Sequence, residues 1–223
     1  MNRDEYRHRN EAGLYIGKHK SGSYCHPVDA QSGGTWAGVN SNGVSLCLLN
    51  RYQVATIDNA TSRGTIIPTA LQQGDLASIL TFMRQLDVSP LNGFDCIVST
   101  AHTSVQFSWD RLTYGEQRLT INNGMMFTSS SERLDEVSAY RHQLFEQWQS
   151  NSDNIDSFHL QQEEGQATNA VLMSRTPTHT KSMVQFQLTP TAYSLDYYEN
   201  PSFMSNQTLA DKKPCQSWLH PNT

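Results

Sequence analysis

The chain has 223 residues, a formal net charge of −5 and a hydrophobic share of 37%. That length can bury a sizeable core, and the simplest division is one domain over residues 1–200 with a polar tail over 201–223. Basic residues do not cluster beyond Arg3, Arg7 and Arg9, so no nucleic-acid partner is expected; no apolar run approaches the roughly 20 residues of a membrane span, and no apolar signal region opens the chain, so the expected compartment is cytoplasmic.

Residues 6–32 are polar, rich in Gly and His, and read as a long loop or a pair of short strands. Thr35–Asn40 and Val44–Leu49 flank Ser41-Asn42-Gly43. Asn-Gly between two β-rich runs signals a hairpin, because both residues tolerate positive φ. Ser62 can cap a helix to about Gln72, divided at Pro68 into two short pieces. Asp75 caps a second helix, Leu76–Leu86, whose Leu76, Ile79, Leu80 and Met83 follow helical spacing.

Phe94–Thr100, Val105–Trp109, Gln117–Ile121 and Met125–Thr128 read as consecutive strands of a meander. Leu134–Gln149 is the longest helix. Val137, Tyr140, Leu144 and Trp148 form its apolar stripe, and Glu132, Asp135 and Glu136 favour its N-terminus. Ala170–Ser174, Met183–Leu188 and Tyr193–Tyr198 read as further strands, and from Pro201 the tail reads as irregular. Hairpins interrupted by two helical blocks fit an α+β domain with helices packed on sheets. The pattern does not by itself separate a four-layer αββα sandwich from other α+β folds.

Several motifs occur in a telling order: Asn2-Arg3-Asp4-Glu5, then Gly33-Gly34-Thr35-Trp36-Ala37-Gly38-Val39-Asn40, Ser41-Asn42-Gly43, Val44 to Tyr52, Ser62-Arg63-Gly64, and Thr128-Ser129-Ser130-Ser131. In this order they resemble the NRDE family, also called the transport and Golgi organisation protein 2 family. The resemblance spans most of the chain and is strongest before about residue 75. It implies the αββα sandwich of N-terminal-nucleophile hydrolases, in the choloylglycine hydrolase and penicillin V acylase branch. Enzymes of that branch use an N-terminal Cys whose own α-amine is the base, because an α-amine pKa of about 7.7–8.0 leaves a usable unprotonated fraction near neutrality.

NRDE-family chains open with Met-Cys and an apolar strand before the tetrapeptide. Here Met1 touches Asn2 directly, and Cys25 lies well downstream in a segment read as loop. The resemblance therefore implies a fold lacking its first strand, with two readings open: a true start upstream at a Met-Cys, or a real loss of the nucleophile. An absent strand should leave an unpaired edge or an exposed groove beside Thr35–Asn40.

The resemblance also assigns roles. Asp4 is the acid that holds the nucleophile's α-amine, and Arg3 assists the thiolate or orients substrate. Asn50, at a strand end, is an oxyanion-hole donor, since a rigid amide can meet developing negative charge without reorganising. Ser129 stands where the branch has a second site Asn; a strand-to-helix cap over Thr128–Ser130 is the competing reading. Asn2, Arg63 and Trp36 are the substrate-binding candidates. Read from the residues alone, Arg63 is a surface residue of a helix's first turn, Trp36 is core, and Tyr193, Tyr197 and Tyr198 form a strand edge.

No metal is expected, because the eight histidines show no paired ligand spacing and the four cysteines are far apart. Cys47 and Cys96 read as small buried hydrophobes. Gly33-Gly34 precedes a strand, not a helix, so no phosphate loop and no cofactor are expected. The functional expectation is a cysteine amidohydrolase acting on linear, non-peptide amides, with a small-molecule amide or acyl substrate and no activity from the chain as written. The alternative is a non-catalytic binding protein for haem, lipid or acyl-CoA, ligands to which the family's eukaryotic members are linked. The sequence carries no sign of oligomeric state.

Overall fold

The computed structural model describes residues 1–19, 21–151, 154–199 and 214–221. Two antiparallel sheets face each other. The larger has seven strands in sequential order: β2 (Glu11–His19), β3 (Gly22–Asp29), β4 (Ala37–Asn40), β5 (Ser45–Asn50), β6 (Phe94–Ser99), β7 (Ser104–Trp109) and β8 (Tyr114–Leu119). The smaller has four, in the order β1 (Asn2–Tyr6), β9 (Thr178–Leu188), β10 (Ala192–Glu199) and β11 (Gln216–Pro221).

Alternation along the strands builds three packed interfaces between four layers. Leu46 and Leu48 of β5, Phe94, Cys96 and Val98 of β6, and Val105, Phe107 and Trp109 of β7 turn to one side. There they meet Ile66, Ile67, Ala70 and Leu71 of α1 (Ile66–Leu71) and Ile79 and Met83 of α2 (Leu76–Arg84). On the opposite face Cys25, Ala37 and Val39 pack against Val184, Leu195, Tyr197 and Trp218 of the smaller sheet. Beyond that sheet, Leu144 of α3 (Leu134–Asn151) clusters with Phe158 of α4 (Ile155–His159) and Val171. The order helix, sheet, sheet, helix is the αββα sandwich, the α+β class expected.

Local chemistry sets the boundaries. Gly43 takes φ 71° in the turn between β4 and β5, where a side chain would be strained. A single 3₁₀ turn, Arg63–Thr65, precedes α1, so the segment is in two pieces, with Pro68 inside the first turn of α1 where its missing N–H costs nothing. Asp75 caps α2 by accepting from the Ser78 N–H at 2.9 Å.

Several expectations change. Of the two readings of residues 6–32, the pair of strands holds, but the strands are long: β2 has nine residues and β3 eight. The signal was weak because the buried positions of β2 are glycines; a Cβ at Gly17 would stand 2.2 Å from the Tyr24 ring, so glycine lets that ring lie across β2. Cys25 is therefore a buried strand residue, not a loop residue. Strand β8 begins three residues before the expected Gln117, because Asp110 Oδ1 accepts from the N–H groups of Leu112 and Thr113 and closes a tight turn earlier. Met125–Thr128 and Ala170–Ser174 are not strands; Ser174 makes only an isolated bridge to His179.

The tail is not irregular throughout, since Gln216–Pro221 pairs with Ala192–Tyr197 as β11; residues 201–213 and 222–223 lie outside the described residues. Tyr193, Tyr197 and Tyr198 are on an interior strand, and Tyr197 is fully buried. The tetrapeptide is itself a strand, β1, antiparallel to β9 with a register shift between Arg3 and Asp4. β1 is one edge of the smaller sheet, whereas Thr35–Asn40 lies beside no unpaired edge, because β4 pairs on both sides.

Candidate functional site

The smaller sheet is too narrow to cover the larger one. It packs over β2, β3 and β4, and the inner face beyond β5 is left without a facing strand. A cavity of about 710 Å³ fills that space. Cys47, Ile97 and Ser99 line it from the large sheet, residues 125–131 from the segment before α3, and Phe145, Phe158 and His159 from the helical layer. All seven expected site residues border it: Asn2, Arg3, Asp4, Trp36, Asn50, Arg63 and Ser129.

Strand alternation decides what β1 offers. Arg3 and Glu5 turn between the sheets, and Asn2 and Asp4 turn toward the helices. The Arg3 guanidinium pairs with Glu5, Glu11 and Asp29 and lies 4.2 Å from the Trp36 ring centroid. Arg9 adds a second cation, 2.7 Å from Asp29. Burial opposes ionisation of Asp29, but the Ser32 N–H and the two arginines outweigh it and hold the carboxyl below its ordinary range. Tyr197 donates its hydroxyl to Glu11. This network joins β1 and β10 to β2 and β3.

Asn2 is equally committed. Its Nδ2 donates to the carbonyls of His159 and Val171, both at 2.9 Å, and its Oδ1 faces His159 Nδ1 at 3.1 Å. Asp4 Oδ1 accepts from the Thr180 hydroxyl at 2.6 Å, and Oδ2 lies 3.3 Å from Arg141. Arg141 was not anticipated. It sits on the apolar stripe of α3 between Val137 and Leu144, is buried, and donates to Thr128 Oγ1 at 2.8 Å and Ala170 O at 2.8 Å. A lone arginine at a stripe position was the available signal, because such a group needs a buried partner.

The opposite wall is less committed. Asn50 Nδ2 donates to the Tyr52 hydroxyl at 3.0 Å. Arg63 is half-buried, not a surface residue, and donates to Gly93 O at 2.5 Å; burial lowers its pKa. Arg175, also unanticipated, reaches Thr168 O at 3.0 Å and Ser130 Oγ at 3.1 Å. Neither Arg63 nor Arg175 meets a carboxylate among the described residues. Ser129 caps no helix: Ser130, not Ser129, accepts from the Glu132 N–H, and α3 begins only at Leu134.

The chain belongs to the transport and Golgi organisation 2 family. That family's model matches residues 1–210. No curated protein sequence matches. A variant of the conjugated bile acid hydrolase from Clostridium perfringens is similar in structure, with TM-score 0.53 and 12% identity over 100% of this chain and 92% of that one. A second variant of the same hydrolase gives TM-score 0.51 and 12% identity over 100% and 91%. Penicillin V acylase from Agrobacterium tumefaciens gives TM-score 0.47 and 12% identity over 88% and 81%. The two hydrolase variants establish the N-terminal-nucleophile hydrolase fold; at this identity they establish the fold alone.

The cysteines bear on any family chemistry. Cys25 is fully buried away from the cavity, and burial pushes its thiol up to about 12. Cys47 borders the cavity, and burial raises its thiol too. Among the described residues no group of three or more His, Cys, Asp or Glu could hold a metal ion, and no helix is long and apolar enough to cross a membrane.

Proposed function

We propose that this protein is a cysteine amidohydrolase acting on linear, non-peptide amides of small acyl molecules, its nucleophile supplied by a cysteine upstream of Met1. One observation carries the reading: Asp4, Asn50 and Ser129, widely separated in sequence, border a single cavity. In this reading Asn50 Nδ2 meets the developing oxyanion and the Ser129 hydroxyl is a second donor. Asp4, positioned by its contacts to Arg141 and Thr180, holds the nucleophile's α-amine. Arg63 and Trp36 face the substrate. Arg3 and Asn2 act by fixing β1, because their hydrogen-bonding groups are already engaged. We read residues 1–200 as one domain, to which β11 adds a strand, and place the protein in the cytoplasm, which fractionation of tagged cells tests.

The amide carbonyl would be attacked by a thiolate whose proton goes to its own α-amine. The amine product takes that proton as the C–N bond breaks, and water then resolves the thioester. None of the described cavity thiols can substitute, since Cys47 is held protonated. The test is to read the codons upstream of Met1 for an in-frame Met-Cys and to assay the extended, processed protein against N-acyl amino acids and lactones. Thiol-dependent amidase activity is the expected result. Asn50→Ala should lower kcat by roughly 10²–10³.

The lining of the cavity favours a second reading, a binding protein for haem, a lipid or acyl-CoA. The apolar wall of Met125, Met126, Phe127, Phe145 and Phe158 suits such a ligand. Tight binding of one of these ligands, with no turnover by the extended protein, would select it.

A further inference from the structure

His159 closes α4 and borders the cavity, yet it lies in none of the motifs named above. Its surroundings fix its protonation. Both hydrogens of the Asn2 amide are donated, to His159 O and Val171 O, so the amide orientation is set and Oδ1 is the atom facing His159 Nδ1. An amide oxygen only accepts, so Nδ1 carries the proton. A neutral ring then has a bare lone pair on Nε2. The ring is held neutral: burial against Phe158, whose ring lies edge-on at 5.4 Å, sets its pKa well below that of an ordinary histidine.

Nε2 has no hydrogen-bond partner among the described residues, and it is not among the buried polar atoms left unpaired. The ring is half-buried and borders the cavity. The lining carboxylates are already taken: Asp4 by Arg141, Glu5 and Asp29 by Arg3 and Arg9. His159 is the one histidine of the lining and its neutral nitrogen acceptor.

We propose that His159 is the specificity-determining acceptor of this cavity, its Nε2 receiving the N–H of a secondary amide on the bound molecule. The proposal rests on the amide reading above and names what the site selects. A donor-bearing amide satisfies the lone pair. An ester or an N-methylated amide of the same shape leaves it dry and unpaired, a penalty that makes polar sites more discriminating than apolar ones. Phe145, Phe158 and Val171 beside it would cover the acyl chain. Asn2 is the positioning residue, acting through the tautomer.

The test measures binding, which needs no turnover. A medium-chain N-acyl amide, its N-methyl analogue and the matching ester are titrated calorimetrically into the protein and into His159→Leu and His159→Gln. The secondary amide should bind about 10- to 100-fold more tightly than either analogue. His159→Leu should abolish that preference, and His159→Gln, whose Oε1 can accept, should keep part of it. Thermal melts establish that each variant is folded. In the unsubstituted protein, ¹⁵N NMR should find Nδ1 protonated and Nε2 bare, with the Nε2 resonance moving when the amide is added. A protonated Nε2, equal binding of amide and N-methyl amide, a preference that survives His159→Leu, or no binding of any of the three would overturn the proposal. Preference without hydrolysis by the extended protein would sink the amidohydrolase reading and leave this one standing.

Discussion

The corner where β1 meets β2 and β3 and the wall that carries Asn50, Arg63 and Ser129 border the same cavity but spend their polar groups differently. At the corner, Arg3 and Arg9 are matched by Glu5, Glu11 and Asp29, and even the Tyr197 hydroxyl is used. On the wall, Asn50 holds one hydroxyl, and Arg63 one carbonyl. Groups with a full set of partners hold the two layers together. Groups with spare hydrogen-bonding capacity can meet a ligand. The same comparison divides the expected site residues other than Trp36 into a scaffold set, Asn2 and Arg3, and an available set, Asn50, Arg63 and Ser129, with Asp4 between them.

The comparison breaks most sharply at Arg3. Arg3→Leu leaves the almost wholly buried Glu11 carboxylate without a cation and leaves the equally buried Asp29 with Arg9 alone. Removing one partner of a buried ionic network costs about 3–5 kcal/mol, so urea unfolding should show a loss of that size. A loss below about 1 kcal/mol would mean that the corner is not a clamp.

A smaller effect comes from the histidines. His26 and His159 have pKa values lowered by burial, as has His179. The unfolded chain, with histidine near about 6.5, binds these protons before the folded one does, so stability is fully present above that value and falls as pH drops below it. Between pH 7.5 and 5 the loss should be on the order of 1 kcal/mol, ahead of any carboxylate titration. His159→Gln should flatten the slope of a melting series across that range.

The smallest expected change in stability is at the wall. Asn50→Ala removes one bond to an exposed hydroxyl and should alter unfolding free energy by no more than about 0.5 kcal/mol. A larger loss would move Asn50 into the scaffold set.

What the sequence disclosed follows the strength of local patterning. The Asn42-Gly43 turn, the Asp75 cap and the stripes of α2 and α3 were legible because period and punctuation agree. Strand β2 was not, because its interior positions are glycines and its outer ones polar. Strand β11 was not, since Gln216, Ser217, Leu219 and Pro221 are exposed and only Trp218 is buried. Residues at the cavity could be named from family motifs. Their division into engaged and available groups could not, because partners such as Glu11, Asp29, Arg141 and His159 come from distant segments. His159 itself stood in no motif.

The most direct measurement is amidase activity of the 223-residue chain beside a version extended upstream to an in-frame Met-Cys, against one panel of N-acyl amides. The account predicts no turnover by the shorter form. It predicts thiol-dependent turnover by the longer form, lowered about 10²–10³-fold by Asn50→Ala. Turnover by the shorter form would contradict it, whether or not it survives Cys25→Ser and Cys47→Ser.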